Sequence, residues 1–184
     1  MITISTYKIK IVLLGVATLF LACDDSREKE LSYKSPKGEP IGIAYEVRMV
    51  YTDSTKVKAI LTAPIHEDFT NLSLRHSTFP KGVKVIFIDD LNQKNTITAD
   101  QGTMYENTGI IDLVGNVVLE ASDGGILTTS QLYWDAEQDW IFTEQNFHFV
   151  NYEYDVDATR LDTNKEFTKF KTGKLTGTVE VSEQ

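Results

Sequence analysis

The sequence predicts an all-β protein, built from antiparallel hairpins that stack into an elongated sandwich or roll with a continuous core. Three observations predict it. Short runs of alternating apolar and polar residues recur along the chain, separated by Gly, Asn, Asp and Pro clusters. No ten-residue stretch shows a convincing 3.6-residue period with caps. The segments "ADQGTMYENTGIIDLVGNVVLE" and "TTSQLYWDAEQDWIFTEQNFHFV", about 30 residues apart, share an order of small or polar residues, an aromatic, an acidic turn and a long alternating strand. A poorer third copy begins at "DATRLDTNKEF". Stacked strand-turn-strand units favour a roll that is continuous along its length over a compact barrel.

The first strand is the alternating run Ile43 to Tyr51, ended by "TDST". Then come "KVKAILTA", "LSLRH", "VKVIFI" before the turn "DDLNQKN", "NTITA", and "GTMY" before "ENTG". The clearest alternation is "IIDLVGNVVLE", which puts Ile111, Leu113, Val117 and Leu119 on one face, with Gly115 among them. A glycine inside such a strand marks a bend, a bulge or a close approach of something to the backbone. "ILTTSQLYW", "WIFTEQNFHFV", "YEYDVDA", "EFTKFK" and "KLTGTVEV" complete the series. In the run Trp140 to Val150, Ile141, Phe147 and Phe149 oppose Trp140 and Phe142, so both faces carry large apolar groups. In the last run Leu175, Gly177, Val179 and Val181 share a face.

The N-terminus has a different character. Lys8 and Lys10 precede an uncharged run from Ile11 to Ala22, too short to span a bilayer comfortably, and the run stops at "LFLAC". This resembles a bacterial lipoprotein signal in which Cys23, the only cysteine, becomes the lipidated first residue; an uncleaved signal anchor is the alternative. With one cysteine no intramolecular disulfide can form. The expected organisation is a signal peptide over residues 1–22, the lipidated cysteine and a polar tether over 23–41, and a β domain over 42–184. The tether, "DDSREKELSYKSPKGEP", has a flexible reach of roughly 20 to 25 Å. Losing residues 1–22 removes Lys8 and Lys10 and no acid, leaving 16 basic against 27 acidic residues, a net charge of −11. That balance argues against nucleic acid and against a basic patch for anionic headgroups.

Catalytic signatures are missing from the sequence. His66, His76 and His148 have no metal-ligand spacing, and "DDLNQKN" lacks the glycine and final glutamate of a calcium loop. There is no G-x-S-x-G, no H-E-x-x-H and no phosphate loop. We therefore expect no enzyme activity, no metal and no cofactor.

Taken together, the order "TADQGTMYENTGIIDLVGNVVLEASDGGILTTSQLYWD", preceded by "VRMVYTDSTKVKAILTAP" and "FPKGVKVIFID", resembles the LptC family of lipopolysaccharide-export proteins and the wider OstA-like β-jellyroll group. The likeness runs from about Ile43 to Val181. It implies a twisted periplasmic β-jellyroll with an open apolar interior, one part of a bridge that takes lipopolysaccharide from an inner-membrane ABC transporter and hands it to the next jellyroll. On this reading Ile111, Leu113, Gly115, Val117, Leu119, Phe147 and Phe149 line a trough for acyl chains. Leu175, Gly177, Val179 and Val181 form the edge that pairs with the next jellyroll, and the edge near Ile43 to Tyr51 faces the transporter. The expected location is the periplasm, anchored to the inner membrane through Cys23, although such an anchor also suits the outer membrane. Relatives of LptC are commonly held by a transmembrane helix, so contacts made by that helix do not carry over. The alternatives are a surface lipoprotein sandwich that binds a protein or glycan, and a hydrolase of low motif content.

Overall fold

The alternating runs become twelve strands in the computed structural model, which describes residues 38–53, 55–89, 91–164 and 169–179. The expected signal peptide, Cys23, the tether up to residue 37, and Val181 lie outside the described residues. In chain order the strands are β1 (Gly42–Asp53), β2 (Lys56–Asp68), β3 (His76–Phe79), β4 (Val83–Ile88), β5 (Lys94–Ala99), β6 (Gln101–Tyr105), β7 (Ile110–Glu120), β8 (Ile126–Asp135), β9 (Trp140–Val150), β10 (Tyr154–Asn164), β11 (Phe170–Thr172) and β12 (Leu175–Val179). All belong to one antiparallel sheet. The fold is all-β, consistent with a β-jellyroll. Two expectations at the strand level need correcting. "LSLRH" is turn and loop up to Arg75, with only its last residue, His76, in a strand. The run "KVKAILTA" extends through Pro64 to Asp68 in β2.

The sheet order contains apparent crossovers that vanish once short strands are joined in pairs. β3 and β4 are two arms of one strand bent at Pro80–Gly82, β5 and β6 bend at Asp100, and β11 and β12 bend at Gly173 and Lys174. Counted this way, nine bent strands each pair with their neighbours in chain order. One arm of each, among them β4, β5 and β12, belongs to one layer; the other arm, among them β3, β6 and β11, belongs to the second. β7 shows the switch directly, since Thr96 to Thr98 of β5 pair with Val118 to Glu120 while Gln101 to Tyr105 of β6 pair with Ile110 to Val114.

Each bend has a local cause. Glu46 takes a φ of 51° opposite Pro64, which has no N–H to give, and the pairing skips from Tyr45–Ile65 to Val47–Ala63. Gly115 and Asn116 take φ values of 82° and 42°. Between Val114 and Val117 the β7 chain advances one residue more than β8 does between Gln131 and Thr129, a β-bulge. At Arg160, φ 58°, the extra residue lies on the partner instead: β9 runs from Asn146 to Thr143 while β10 runs only from Thr159 to Leu161. Threonine hydroxyls satisfy carbonyls freed by these irregularities: Thr143 Oγ1 donates to the Gln131 oxygen at 2.7 Å and Thr129 Oγ1 to that of Asn146 at 2.9 Å.

What approaches Gly115 is Asp100. The Asp100 amide donates to the Gly115 carbonyl at 2.9 Å, and Asn116 Nδ2 donates to Asp100 Oδ2 at 2.7 Å. A Cβ on Gly115 would lie 2.8 Å from Asp100 Oδ2. The bend residue of one strand thus clasps the bulge of the next. The internal repeat is also visible: the β6–β7 and β8–β9 turns place Gly109 and Asp139 at φ 67° and 54°, and the Ala136 amide donates to the Gly109 carbonyl at 3.2 Å. Acidic Asp135 fixes its own turn by accepting from the Glu137 and Gln138 amides at 3.0 and 2.9 Å.

Replacing Gly115 with Ala forces a side chain into the left-handed region, which costs roughly 1–2 kcal/mol, and drives it into Asp100 as well. Urea unfolding should therefore show Gly115→Ala destabilised by about 2–3 kcal/mol. Asp100→Gly in the same chain should recover part of that loss, a positive coupling in a double-mutant cycle. A Gly115→Ala protein as stable as wild type would mean that the clasp does not fix the bend.

Candidate functional site

The two layers turn one face toward each other, and on that face apolar residues meet hand to hand across the whole sheet. Pairing registers trace one row through Met49, Leu61, Val85, Ile97, Leu119, Leu127, Phe149 and Val156. A second row, nearer the bend, includes Val83, Ala99, Val117, Thr129, Phe147 and Ala158 and ends at Leu175. In the other layer Phe79, Gly102, Leu113 and Leu132 form one row, and Met104, Ile111, Trp134 and Ile141 the next. Cross-strand partners share a face, so a single register defines every inward residue.

Ile111, Leu113, Val117, Leu119 and Phe147 are therefore all inward, and all are buried. Phe149 is inward and half-buried, packed against the same core. Gly115 sits at the bend beside Asp100. In the middle of the roll the layers touch: Phe87 of β4 and Trp134 of β8 meet edge to face, with ring centroids 4.6 Å apart at 88°. The interior is thus filled by side chains at its centre and uncovered at its ends. Tyr51 on β1 is 45% exposed, while Leu175 on β12 and Phe170 on β11 are 49% and 67% exposed, although their partners Ala59, Ala158 and Thr163 are buried. Among the described residues the edge strands have no further neighbour to cover their inner faces.

At the C-terminal edge Leu175 and Gly177 both point inward, opposite Ala158 and Val156. Gly177 lets β12 lie close on β10, because a Cβ there would run into the Asp155 carbonyl oxygen. Val179 closes the pairing against Tyr154.

The outer face is polar and offers less. A groove of about 420 Å³ near the bend is lined by Thr128, Asn146, His148, Asp157 and Lys174, among others. His148 stands between Asp157 and Asp155, at 3.1 and 3.6 Å. His76 lies flat on Phe69, with centroids 5.0 Å apart, and His66 rests against Phe79. Among the described residues, no group of three or more His, Cys, Asp or Glu side chains could hold a metal ion. Burial tends to raise the Asp68 carboxyl, but hydrogen bonds from Thr70, with His66 and Arg75 nearby, outweigh it and hold the group below its usual range. Burial, followed by the charge of Asp112, pushes the Tyr133 phenol up; Tyr133 stacks on Phe142, which gives the outer face of β9 its second apolar contact.

Sequence reasoning found the inward residues of β7 and β9 and missed those of β4, β5 and β8, notably Val85, Phe87, Ile97, Leu132 and Trp134. The same alternation in "VKVIFI" could have supplied the first two. Trp134 was harder to find, because the β8 irregularity puts both Thr129 and Leu132 inward, three residues apart, and so breaks strict alternation.

A family model described as lipopolysaccharide-assembly, LptC-related, matches residues 9–177. A search of curated proteins gives no match.

Proposed function

The chain belongs to the LptC-related family of lipopolysaccharide-assembly proteins, and from that premise we propose that its interior carries the acyl chains of lipopolysaccharide between the two layers of the roll. A role in lipopolysaccharide transport, with a periplasmic place in the envelope, comes with the family. One observation supports the finer reading more than any other. The inward row from Met49 to Val156 is apolar on each strand it crosses, and among the described residues the inner face is most exposed at the two edge strands, at Tyr51, Leu175 and Phe170, where a chain would enter and leave. Since the centre is filled, admission of lipid parts the layers. Contacts between side chains are then exchanged for contacts with methylenes, each worth about 0.8 kcal/mol when taken from water. A path without convergent polar clamps holds its cargo loosely enough to release it.

The lipid comes from an inner-membrane ABC transporter, which meets the edge near Ile43 to Tyr51, and leaves to the next jellyroll at the edge carrying Leu175, Gly177, Val179 and Val181. Among the described residues neither edge pairs with a further strand, and an open edge is the means by which a sheet adds a partner's strand. Cys23, lipidated after removal of residues 1–22, anchors the protein to the membrane.

Benzophenone side chains at Leu119 and Phe149 should crosslink to lipopolysaccharide in cells, whereas one at outward, exposed Lys84 should not. Equal labelling at all three positions, or labelling at Lys84 alone, would refute the interior path. The intact mass of membrane-extracted protein should correspond to a chain that begins at acylated Cys23; retention of residues 1–22 or a free thiol would rule the anchor out. Deletion of Lys174 to Gln184 should abolish capture of the bridge jellyroll and leave the transporter contact in place. Wild-type capture by a truncated protein shown to be folded would locate docking elsewhere.

A further inference from the structure

The interior is not wholly apolar. Trp134 is 3% exposed, and its indole Nε1 is buried without a hydrogen-bond partner. His66 Nε2, also buried without a partner, repeats the pattern beside Phe79, one strand in from the β1 edge. The three fully inward threonines offer a contrast. Thr129, Thr143 and Thr163 all donate to backbone carbonyls. A buried, unpaired N–H costs about 1–3 kcal/mol, and phenylalanine would fill much of the same space without that cost. The perpendicular Phe87 ring is at best a weak acceptor.

We infer that the Trp134 N–H is the polar contact of the lipid path: it donates to an oxygen on a bound acyl chain, an ester or amide carbonyl or a chain hydroxyl. The inference rests on the interior path proposed above and narrows its ligand to acyl chains that bear oxygen acceptors. Trp134 stands in the inner row between Ile111 and Ile141, where the layers meet through Phe87. Parting the layers to admit a chain therefore uncovers this donor. One neutral hydrogen bond among apolar walls favours oxygen-bearing chains and aligns them along the row, yet it is weak enough to break on release.

The test compares two probes on the full chain: purified lipopolysaccharide, and diphenylhexatriene, a hydrocarbon without acceptors that fluoresces in apolar surroundings. Trp134→Phe should bind lipopolysaccharide about five- to tenfold more weakly and diphenylhexatriene as wild type does. Benzothienylalanine at position 134 keeps the indole outline and replaces N–H by sulfur; it should show the same selective loss and guards against a packing defect in the phenylalanine variant. In Trp140→Phe, which leaves Trp134 as the only indole, lipopolysaccharide should shift the emission to the red and diphenylhexatriene should not. Wild-type affinity of both position-134 variants for lipopolysaccharide, or equal losses for the two probes, would overturn the donor role while leaving the interior path standing. If neither probe binds the wild-type protein, the path fails and the donor role with it.

Discussion

The structure depends on one constraint: a single hydrogen-bonded sheet has to supply both layers of its own sandwich. Two separate sheets could each remain regular, but one sheet must bend every strand along a common line without leaving backbone groups unsatisfied. Glu46 against Pro64, Gly115 with Asn116, and Arg160 are local solutions to that demand, and the hydroxyls of Thr129 and Thr143 complete it by capping displaced carbonyls. These residues look unrelated in sequence. Their common role is to let an extra residue or an unusual φ turn the strand while its inward side chains remain inward.

That constraint also decides how much was legible in advance. Where alternation is unbroken, as in Val83 to Ile88, the predicted strand matches the observed bounds, and the aromatic-rich run Trp140 to Val150 does so too. The run expected from Lys56 to Ala63 stops short of Pro64, which β2 accommodates because it sits where the ladder to β1 is already interrupted opposite Glu46. Leu72 and Leu74 misled in the opposite direction. Their alternation lies in a loop, and Leu74 is largely exposed. Gly115 correctly signalled a close approach, but nothing local could name Asp100, which becomes its neighbour only through the pairing of β6 with β7. At the candidate site, membership of the inner face followed from period two in β7 and β9. Trp134 did not, since β8 crosses the bend with one residue fewer than β7 and β9, which moves its inward positions from Leu127 and Thr129 to Leu132 and Trp134.

A filled interior and a lipid path are compatible because the fill differs along the roll. Near the bend the inward side chains include small ones, Ala63, Ala99 and Ala158, set among larger neighbours, and the strands there are clasped by Asp100 and by the threonines. Farther out, Phe87 and Trp134 touch across layers that are joined to each other only through the bends. Separation of the layers is therefore resisted by side-chain packing and by bending of strands, while the ladder hydrogen bonds within each layer can persist.

The meander order has a consequence for how the molecule comes into being. Every bent strand pairs with the strand before it and the strand after it in the chain, so no pairing has to wait for a distant segment to be made. A chain delivered from its N-terminus can add one hairpin at a time, each new strand completing the layer pair left open by the last, as in the growth of a repeat array. The growing end is an uncovered edge at every stage, and β12 is the last edge so formed. The step that adds each strand within the chain, pairing along an open edge, is physically the same step by which a sheet edge accepts a strand from another molecule.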